Sequence, residues 1–296
     1  MNEAIELMLK KYEVSTREHA EKAVREILQE VVLLGVWRAK LFEQMAFYGG
    51  TALRILYGLN RYSEDIDFTL LKKNPEFKWA PFASTIENEL KAYGFDFELQ
   101  QKKKSFTTEV QSAFLKTNTL KALLEVGVPQ NLYHGLHPDT ILKIKIEVDT
   151  DPVVGFRTTE QMLKSPLPVP IKTIELPDLF ASKMHAALFR AWKNRTKGRD
   201  WYDVVWYIRN DVPINLKHFE ACMKQNQTVP SDNSLTGQSL KELINKRIDS
   251  LDIESAKSDV AFFIPDHEQA LLDTWNKEYF STWIDKLKIE EECKGT

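Results

Sequence analysis

Two short motifs, separated by one predicted helix, constrain the fold of this chain more than any other part of the sequence. The first is the glycine pair Gly49-Gly50, which lies between an apolar predicted strand, Met45–Tyr48, and a helical pattern, Thr51–Tyr57. The second is Asp65-Ile66-Asp67-Phe68, within the predicted strand Glu64–Leu71. Because alternate residues of a strand share a face, both aspartates should point one way while the apolar residues pack on the other side.

Two adjacent carboxylates repel each other unless a positive charge lies between them. A divalent cation on oxygen ligands supplies that charge, and substrate phosphates complete its coordination. Backbone N–H groups at a glycine-containing helix start bind the same phosphates. Singly, a glycine pair is most often a turn, and an Asp-x-Asp pair often lies on a solvated strand edge. Together, the motifs predict a nucleotidyltransferase that uses an NTP with Mg²⁺ or Mn²⁺.

The residues of the two motifs have predicted roles in that chemistry. Asp65 and Asp67 are the predicted metal ligands and catalytic carboxylates. Two further residues shortly before them, Arg61 and Ser63, are expected to orient the carboxylates or to contact phosphate. The predicted nucleotide-binding residues are therefore Gly49, Gly50, Thr51, Arg61 and Ser63.

A third metal-binding acid is predicted on the strand Ile141–Asp149, the clearest alternating segment of the chain. Its polar face carries Glu147 and Asp149, together with two lysines. Glu147 is favoured as the metal ligand, because Asp149 stands at the strand end and is expected to cap the following turn. The alternative is that both acids pair with Lys143 and Lys145 across a solvated sheet face.

The segment from Gly49 to Phe68, GGTALRILYGLNRYSEDIDF, resembles the first two motifs of the AbiEii/AbiGii-type nucleotidyltransferases, many of which are toxins of bacterial toxin–antitoxin pairs. A second block, from Leu176 to Asp203, is similar to later motifs of that family. It contains a predicted helix with Lys183 and then a second helix with Asp200 and Asp203. The resemblance spans roughly residues 45–210.

This resemblance implies a function and further site residues. It implies transfer of a nucleotidyl group to tRNA or to a protein, toxicity, and an antitoxin encoded by a neighbouring gene. Lys183 is expected to bind the nucleotide phosphates, although from the pattern alone a lysine bordering an apolar helix face more often only extends to solvent. One of Asp200 and Asp203 is expected to orient Lys183 or to support the metal site, and the sequence does not distinguish between them.

The pattern along the chain predicts an α+β fold, with a nucleotidyltransferase-like mixed sheet and flanking helices followed by an all-helical lobe. The predicted domains are residues 1–170 and 171–296. Ser15 is the predicted first residue of a capping box that opens a helix running to about Leu34. Extended structure is predicted over Val110–Leu124, and the prolines between Pro166 and Pro177 predict an extended linker.

Composition excludes several classes of protein. The 296 residues are 43% hydrophobic and 28% charged, and the net charge is −3, which argues against a general nucleic-acid-coating protein. Cys222 and Cys293 are too few for a disulfide framework or a zinc cluster. No apolar run approaches the ~20 residues of a membrane span, and the amino terminus lacks a secretory pattern, so we expect no membrane partner and a cytoplasmic protein.

Two further features near the later motifs each have two explanations. A basic run either contacts RNA phosphates or forms a solvated helix end and loop; its members are Arg190, Lys193, Arg195, Lys197 and Arg199. Three tryptophans, Trp192, Trp201 and Trp206, either stack on a base or pack in the core.

Two functions compete with transfer to tRNA or protein. One is transfer to a small molecule, as in antibiotic-modifying nucleotidyltransferases. The other is a catalytically inactive relative that only binds a nucleotide or a partner, against which the two intact aspartates argue.

Overall fold

The computed structural model describes residues 2–101, 110–190, 196–228 and 235–290. The chain divides into two compact units. Unit 1 consists of Met1–Gly58, Ser63–Pro152 and Thr159–Thr173. Unit 2 consists of Leu59–Tyr62, Val153–Thr158 and Ile174–Thr296, so that two short segments from the first half of the chain belong to it.

A mixed sheet of seven strands, in the order β3-β4-β5-β2-β1-β7-β6, contains the strands that carry the first motifs. Its strands are β1 Met45–Tyr48, β2 Ile66–Leu70, β3 Glu98–Gln101, β4 Val110–Asn118, β5 Ile141–Asp149, β6 Thr158–Leu163 and β7 Val169–Ile174. β2 is antiparallel to β1 and parallel to β5. The central position of β2 places the predicted catalytic motif between two neighbouring strands.

Helices cover the sheet of unit 1: α1 Glu3–Leu9, α2 Arg17–Arg38, α3 Gly49–Tyr57, α4 Ala80–Ala92 and α5 Thr119–Val126. Short 3₁₀ helices lie at Leu41–Glu43 and Gln130–Leu132. The long helix α2 buries an apolar stripe that includes Ile27, Val31 and Leu34, which joins the main hydrophobic core. The capping residue of α2 is Thr16, whose hydroxyl accepts from the His19 N–H; Ser15, predicted for this position, contacts the His19 ring instead.

Two sequence predictions about unit 1 were wrong. Extended structure was predicted through Leu124, but the strand ends at Asn118, whose side chain caps α5. The proline-rich segment is not a linker, because β7 pairs in parallel with β1 at Phe47. Prolines are compatible with strands whose N–H groups are not all used in the sheet, which is why this segment was misassigned.

From Leu176 onward the regular elements among the described residues are helices, apart from one isolated bridge between Ile214 and Ile289. The helices are α6 Leu176–Phe189, α7 Gly198–Arg209, α8 Leu216–Gln225, α9 Gly237–Asp249, α10 Ile253–Ala261 and α11 Lys277–Asp285, with a 3₁₀ helix at Asp266–Thr274. Together with the mixed sheet, they confirm the predicted α+β fold. In the part of the chain that is described, no helix combines the length and the apolar character needed to cross a membrane.

Candidate active site

The glycine turn at the start of α3 touches the second aspartate of the motif. Gly49 has a φ of +82°, and a Cβ placed on it would lie 2.8 Å from Oδ2 of Asp67. Both the backbone conformation and the space therefore require glycine here. The antiparallel register explains the approach, since Tyr48, the residue before the turn, pairs with Asp67.

The loop before β2 is held by hydrogen bonds from two buried side chains. The hydroxyl of Thr51 in α3 is buried and donates to the backbone carbonyl of Asp65, which directly precedes β2. The side-chain amide of Gln29 donates to the carbonyls of Ser63 and Glu64, both at 3.0 Å. Thr51 and Ser63, predicted near the phosphates, thus take part in fixing the backbone that presents Asp65.

The parallel register of β2 and β5 brings Glu147 beside Asp67. Both carboxylate oxygens of Glu147 already have partners. Ser112 on β4 donates to Oε1 at 2.9 Å, and the ammonium of Lys145 lies 2.7 Å from Oε2. The pairing of Glu147 with Lys145 is the alternative that the sequence left open.

Lys145 lies in the negative field of all three acids. Burial alone would lower the pKa of its ammonium, but the hydrogen bond and charge of Glu147 and the charges of Asp65 and Asp67 raise it above its ordinary value. The three carboxylates therefore favour the protonated form of Lys145.

The chemistry of the motifs implies a divalent metal, and the residues of this face fit it only in part. Within residues 2–101, 110–190, 196–228 and 235–290, no group of three or more His, Cys, Asp or Glu side chains is arranged to hold a metal ion. Asp65 and Asp67 fit the requirement for hard oxygen ligands in a negative field. Glu147, as placed, is engaged by Lys145 and Ser112. Asp149 accepts from the Asp151 N–H at 3.0 Å, which is the turn-capping role predicted for it.

Unit 2 contains a second cluster, made by the residues of the later motifs. Lys183 on α6 lies 2.9 Å from Asp200 and 2.9 Å from Asp203, both on α7. Arg61 makes two hydrogen bonds of 2.6 Å to Asp203, one to each carboxylate oxygen. The two aspartates are buried, so both of them orient Lys183 in this structure.

The four charges of this cluster compensate one another. Burial alone would raise the pKa of Asp200, but the ammonium groups of Lys183 and Lys197 lower it to about 2. Burial opposes the charged form of Asp203 as well, and Arg61 and Lys183 hold the pKa of that carboxyl below its ordinary value. Lys183, Arg61 and the two aspartates therefore form a buried ion network, and Lys197 adds a further positive charge near Asp200.

A close helix contact fixes the position of α7. A Cβ on Gly198, the first residue of α7, would lie 1.8 Å from the carbonyl oxygen of Ala256 in α10, so only glycine allows this approach. On the other side, the rings of Phe180 and Tyr207 stack with centroids 4.6 Å apart and join α6 to α7. These contacts hold Lys183 against the two aspartates.

The motifs of both units belong to a known protein family. The family model for the nucleotidyl transferase AbiEii toxin of type IV toxin–antitoxin systems matches residues 31–285. The chain belongs to the AbiEii family. This family is one of nucleotidyl transferases, which confirms the resemblance inferred from the motifs and the assignment as an enzyme.

Two solved structures from Helicobacter pylori are similar to this AbiEii chain. The protein JHP933 has 16% sequence identity and a TM-score of 0.49, with 88% of this chain and 87% of that chain covered. A second protein, provisionally described as a nucleotidyltransferase, has 18% identity and a TM-score of 0.47, covering 87% of this chain and 91% of its own. The comparison with curated proteins gave no match.

The basic run of this AbiEii chain is only partly described. Trp192, Lys193 and Arg195 lie outside the described residues. Arg199 lies 4.0 Å above the ring of Phe263 and 3.6 Å from the carboxylate of Asp259. Burial lowers the pKa of Lys197 to about 8, although Asp200 opposes that change.

Sequence reasoning missed three partners in these clusters. It did not predict the Arg61–Asp203 pair, because 142 positions separate the two residues and no local pattern links them. It did not predict Ser112, which reaches Glu147 only through the register of β4 and β5. Lys145 was predicted only as a partner in a structural ion pair, and the negative field of Asp65 and Asp67 became visible only once β2 and β5 were aligned.

Proposed function

We propose that this AbiEii-family protein is a metal-dependent nucleotidyltransferase that moves a nucleotidyl group from an NTP to tRNA or to a protein, as the toxin of a toxin–antitoxin or phage-defence pair. The observation that carries the proposal is the contact between Asp67 and the glycine turn. In unit 1 it brings a carboxylate for a cation next to a helix start for phosphate oxygens.

In this proposal Asp65 and Asp67 hold Mg²⁺ or Mn²⁺. When bound, the metal supplies the charge that activates the attacking hydroxyl and stabilises the leaving pyrophosphate. Glu147 can become a third metal ligand only if its ion pair with Lys145 breaks. Until then, Lys145 stabilises the acidic face as a local counter-ion.

The glycine turn binds the triphosphate in this proposal. Gly49 and Gly50 are the first residues of α3, where N–H groups have no partner within the helix. Thr51 and Ser63 act as positioning residues, since their contacts fix the loop that carries Asp65.

Lys183 is the proposed phosphate-binding cation of unit 2. An ammonium acts on phosphate as a point charge, and its own charge is secured here by Asp200 and Asp203. Arg61 was predicted as a nucleotide contact, but its guanidinium binds Asp203 through two hydrogen bonds. We therefore assign Arg61 as a positioning residue for Asp203 and Lys183.

The proposal also includes the acceptor, which is tRNA or a protein, and an antitoxin partner. The family is defined as part of a toxin–antitoxin system, which supports an antitoxin partner encoded nearby. The reaction is placed in the cytoplasm, where NTPs and tRNA are available. Transfer to a small molecule remains the competing hypothesis for the same site.

The test is transfer of label from each of the four α-³²P-labelled NTPs in the presence of Mg²⁺, with total tRNA, protein lysate or buffer alone. Label on tRNA or on a protein supports the proposal and identifies the acceptor. Label only in low-molecular-weight products supports the small-molecule alternative. An active-site control is the Asp67→Asn variant, which should transfer no label; label transfer without added metal and in the presence of EDTA would contradict the proposed metal dependence.

A further inference from the structure

A cavity of about 280 Å³ in unit 2 lies beside the buried ion network but contains none of its residues. It is lined by aromatic rings of α7, α11 and the residue that follows the 3₁₀ helix: Tyr202, Trp206, Trp275 and Tyr279. Arg209, Asn60 and Asn210 supply polar groups to the same lining. The volume is near the lower end of small-ligand pockets, which begin at roughly 300 Å³.

The aromatic residues of the cavity differ in burial. Tyr202 and Trp275 are buried, and Trp275 packs edge-on against Phe280 with centroids 5.0 Å apart. The hydroxyl of Tyr202 donates to Glu268 at 2.6 Å, which fixes its ring. Trp206 and Tyr279, in contrast, are only partly buried. Preformed, partly exposed aromatic rings are the groups on which a flat heterocycle stacks.

The positive charge in the lining indicates which kind of aromatic ligand the cavity would bind. Arg209 is the single charged residue among the described residues that line the cavity, and it makes no ion pair within the described part of the chain. Its guanidinium lies close enough to Tyr279 to oppose the rise that burial causes in the pKa of that hydroxyl. Aromatic pockets also bind organic cations, but an adjacent guanidinium repels them. A ligand with a flat ring and an anionic group fits both features.

We propose that this cavity binds one nucleotide unit, with its base on the rings of Trp206 and Tyr279 and its phosphate at Arg209. None of the lining residues is among those proposed above to bind the triphosphate. It is joined to the ion network of unit 2 through α7, where Tyr202 precedes Asp203, and through Asn60, which precedes Arg61. The inference goes beyond the transfer reaction and does not depend on it.

The test is isothermal titration calorimetry of the full-length protein with AMP, GMP, CMP and UMP in EDTA. EDTA removes any contribution of a bound metal, and the cavity variants described below separate binding in this cavity from binding at the glycine turn. The corresponding nucleosides and inorganic phosphate should each bind more weakly than the monophosphates. A single-stranded tetranucleotide distinguishes the source: much tighter binding than AMP indicates a nucleotide within RNA, and equal binding indicates a free nucleotide.

Matched variants assign the binding to this cavity. Trp206→Leu should weaken binding of the best monophosphate about tenfold or more, whereas Trp206→Phe, which keeps an aromatic ring, should change it less than about threefold. Arg209→Gln should weaken binding several-fold and flatten its salt dependence. Lys224→Gln, at an exposed position of α8 outside the cavity, makes the same charge change and should have no effect.

Three results would overturn the inference. One is the absence of binding by any monophosphate or by the tetranucleotide. Another is binding that Trp206→Leu and Arg209→Gln leave unchanged, which would place it elsewhere. The third is binding of an acidic, leucine-containing tripeptide in preference to every nucleotide, which would assign the cavity to a protein partner. Because Arg209 is exposed, its variant tests the inference even if Trp206→Leu fails to fold.

Discussion

The aspartates of unit 1, Asp65 and Asp67, and those of unit 2, Asp200 and Asp203, differ in burial and in charge balance. The first pair is partly exposed and shares the charge of Lys145 with Glu147. The second pair is buried and lies in direct contact with Lys183 and Arg61.

The difference indicates two roles for aspartate in this protein: metal binding in unit 1 and buried ion pairing in unit 2. A partly exposed group of adjacent carboxylates can bind a metal ion, and it loses little stability when one acid is removed. In a buried ion network, removing one charged side chain lowers the free energy of unfolding strongly, because its partner stays buried without a compensating charge. We therefore expect mutations in unit 1 to affect activity first and mutations in unit 2 to affect folding as well.

The largest expected effect concerns Asp67. Asp67→Asn should lower the rate of nucleotidyl transfer by roughly a thousandfold or more, because several kcal/mol of metal-derived charge stabilisation is lost. Asp65→Asn should behave similarly. The melting temperature should be unchanged or raised, since a repulsive charge is removed. Transfer assays and calorimetry on the same preparations measure both effects, and near wild-type transfer by either variant would exclude that residue as a metal ligand.

The next effect concerns the Arg61–Asp203 pair. Asp203→Asn should lower the free energy of unfolding by about 3–5 kcal/mol, because it leaves the Arg61 guanidinium buried with reduced compensation. Urea denaturation measures this change. The double variant Arg61→Met with Asp203→Leu should recover much of the lost stability, and equal destabilisation by the single and double variants would show that the buried charge is not the cause.

Lys183 tests whether the network of unit 2 also serves the reaction. Lys183→Ala should weaken NTP binding about tenfold while changing Mn²⁺ binding much less, because the ammonium acts on phosphate. The control is Lys183→Ala combined with Asp200→Asn, which removes one buried anion and should restore stability without restoring NTP binding. Normal NTP binding by Lys183→Ala would leave this lysine with a structural role only.

A smaller effect is expected from Lys145. Lys145→Met should raise the affinity for Mn²⁺ several-fold, because the ammonium no longer competes for Glu147 and no longer opposes a second cation. Lys143→Met removes a charge from the same strand, and its side chain lies 3.5 Å over the ring of Phe114. It should change the affinity less. Equal affinities in Lys145→Met and the wild type would show that Lys145 does not compete with the metal.

The smallest effect is a pH dependence from Lys197. Its pKa in the folded protein is about 8, compared with an ordinary value of 10.5. Between these values the unfolded chain binds more protons, so this group makes stability rise as the pH increases through that interval. The contribution should be absent from Lys197→Met, and wild-type and variant stability curves of the same slope between pH 8 and 10 would contradict the assignment.

The sequence predicted the local parts of the fold and site better than the distant ones. The motifs at Gly49 and Asp67 are close in sequence, so one strand, one helix and a second strand determine their arrangement. The Arg61–Asp203 pair and the contact of Ser112 with Glu147 depend on tertiary packing and on strand register, for which the sequence has no local signal. The proline-rich segment misled the prediction because proline content does not distinguish a linker from a strand with limited pairing.

The most direct test of the central claim is calorimetric titration of Mn²⁺ into the wild type and the Asp67→Asn variant, each with and without a non-hydrolysable NTP analogue. The wild type should bind Mn²⁺, and the analogue should increase its affinity, because phosphate oxygens complete the coordination. The Asp67→Asn variant should bind Mn²⁺ at least tenfold more weakly than the wild type, both with and without the analogue. Equal Mn²⁺ affinities in the two proteins would contradict the claim that the carboxylate at the glycine turn holds the catalytic metal.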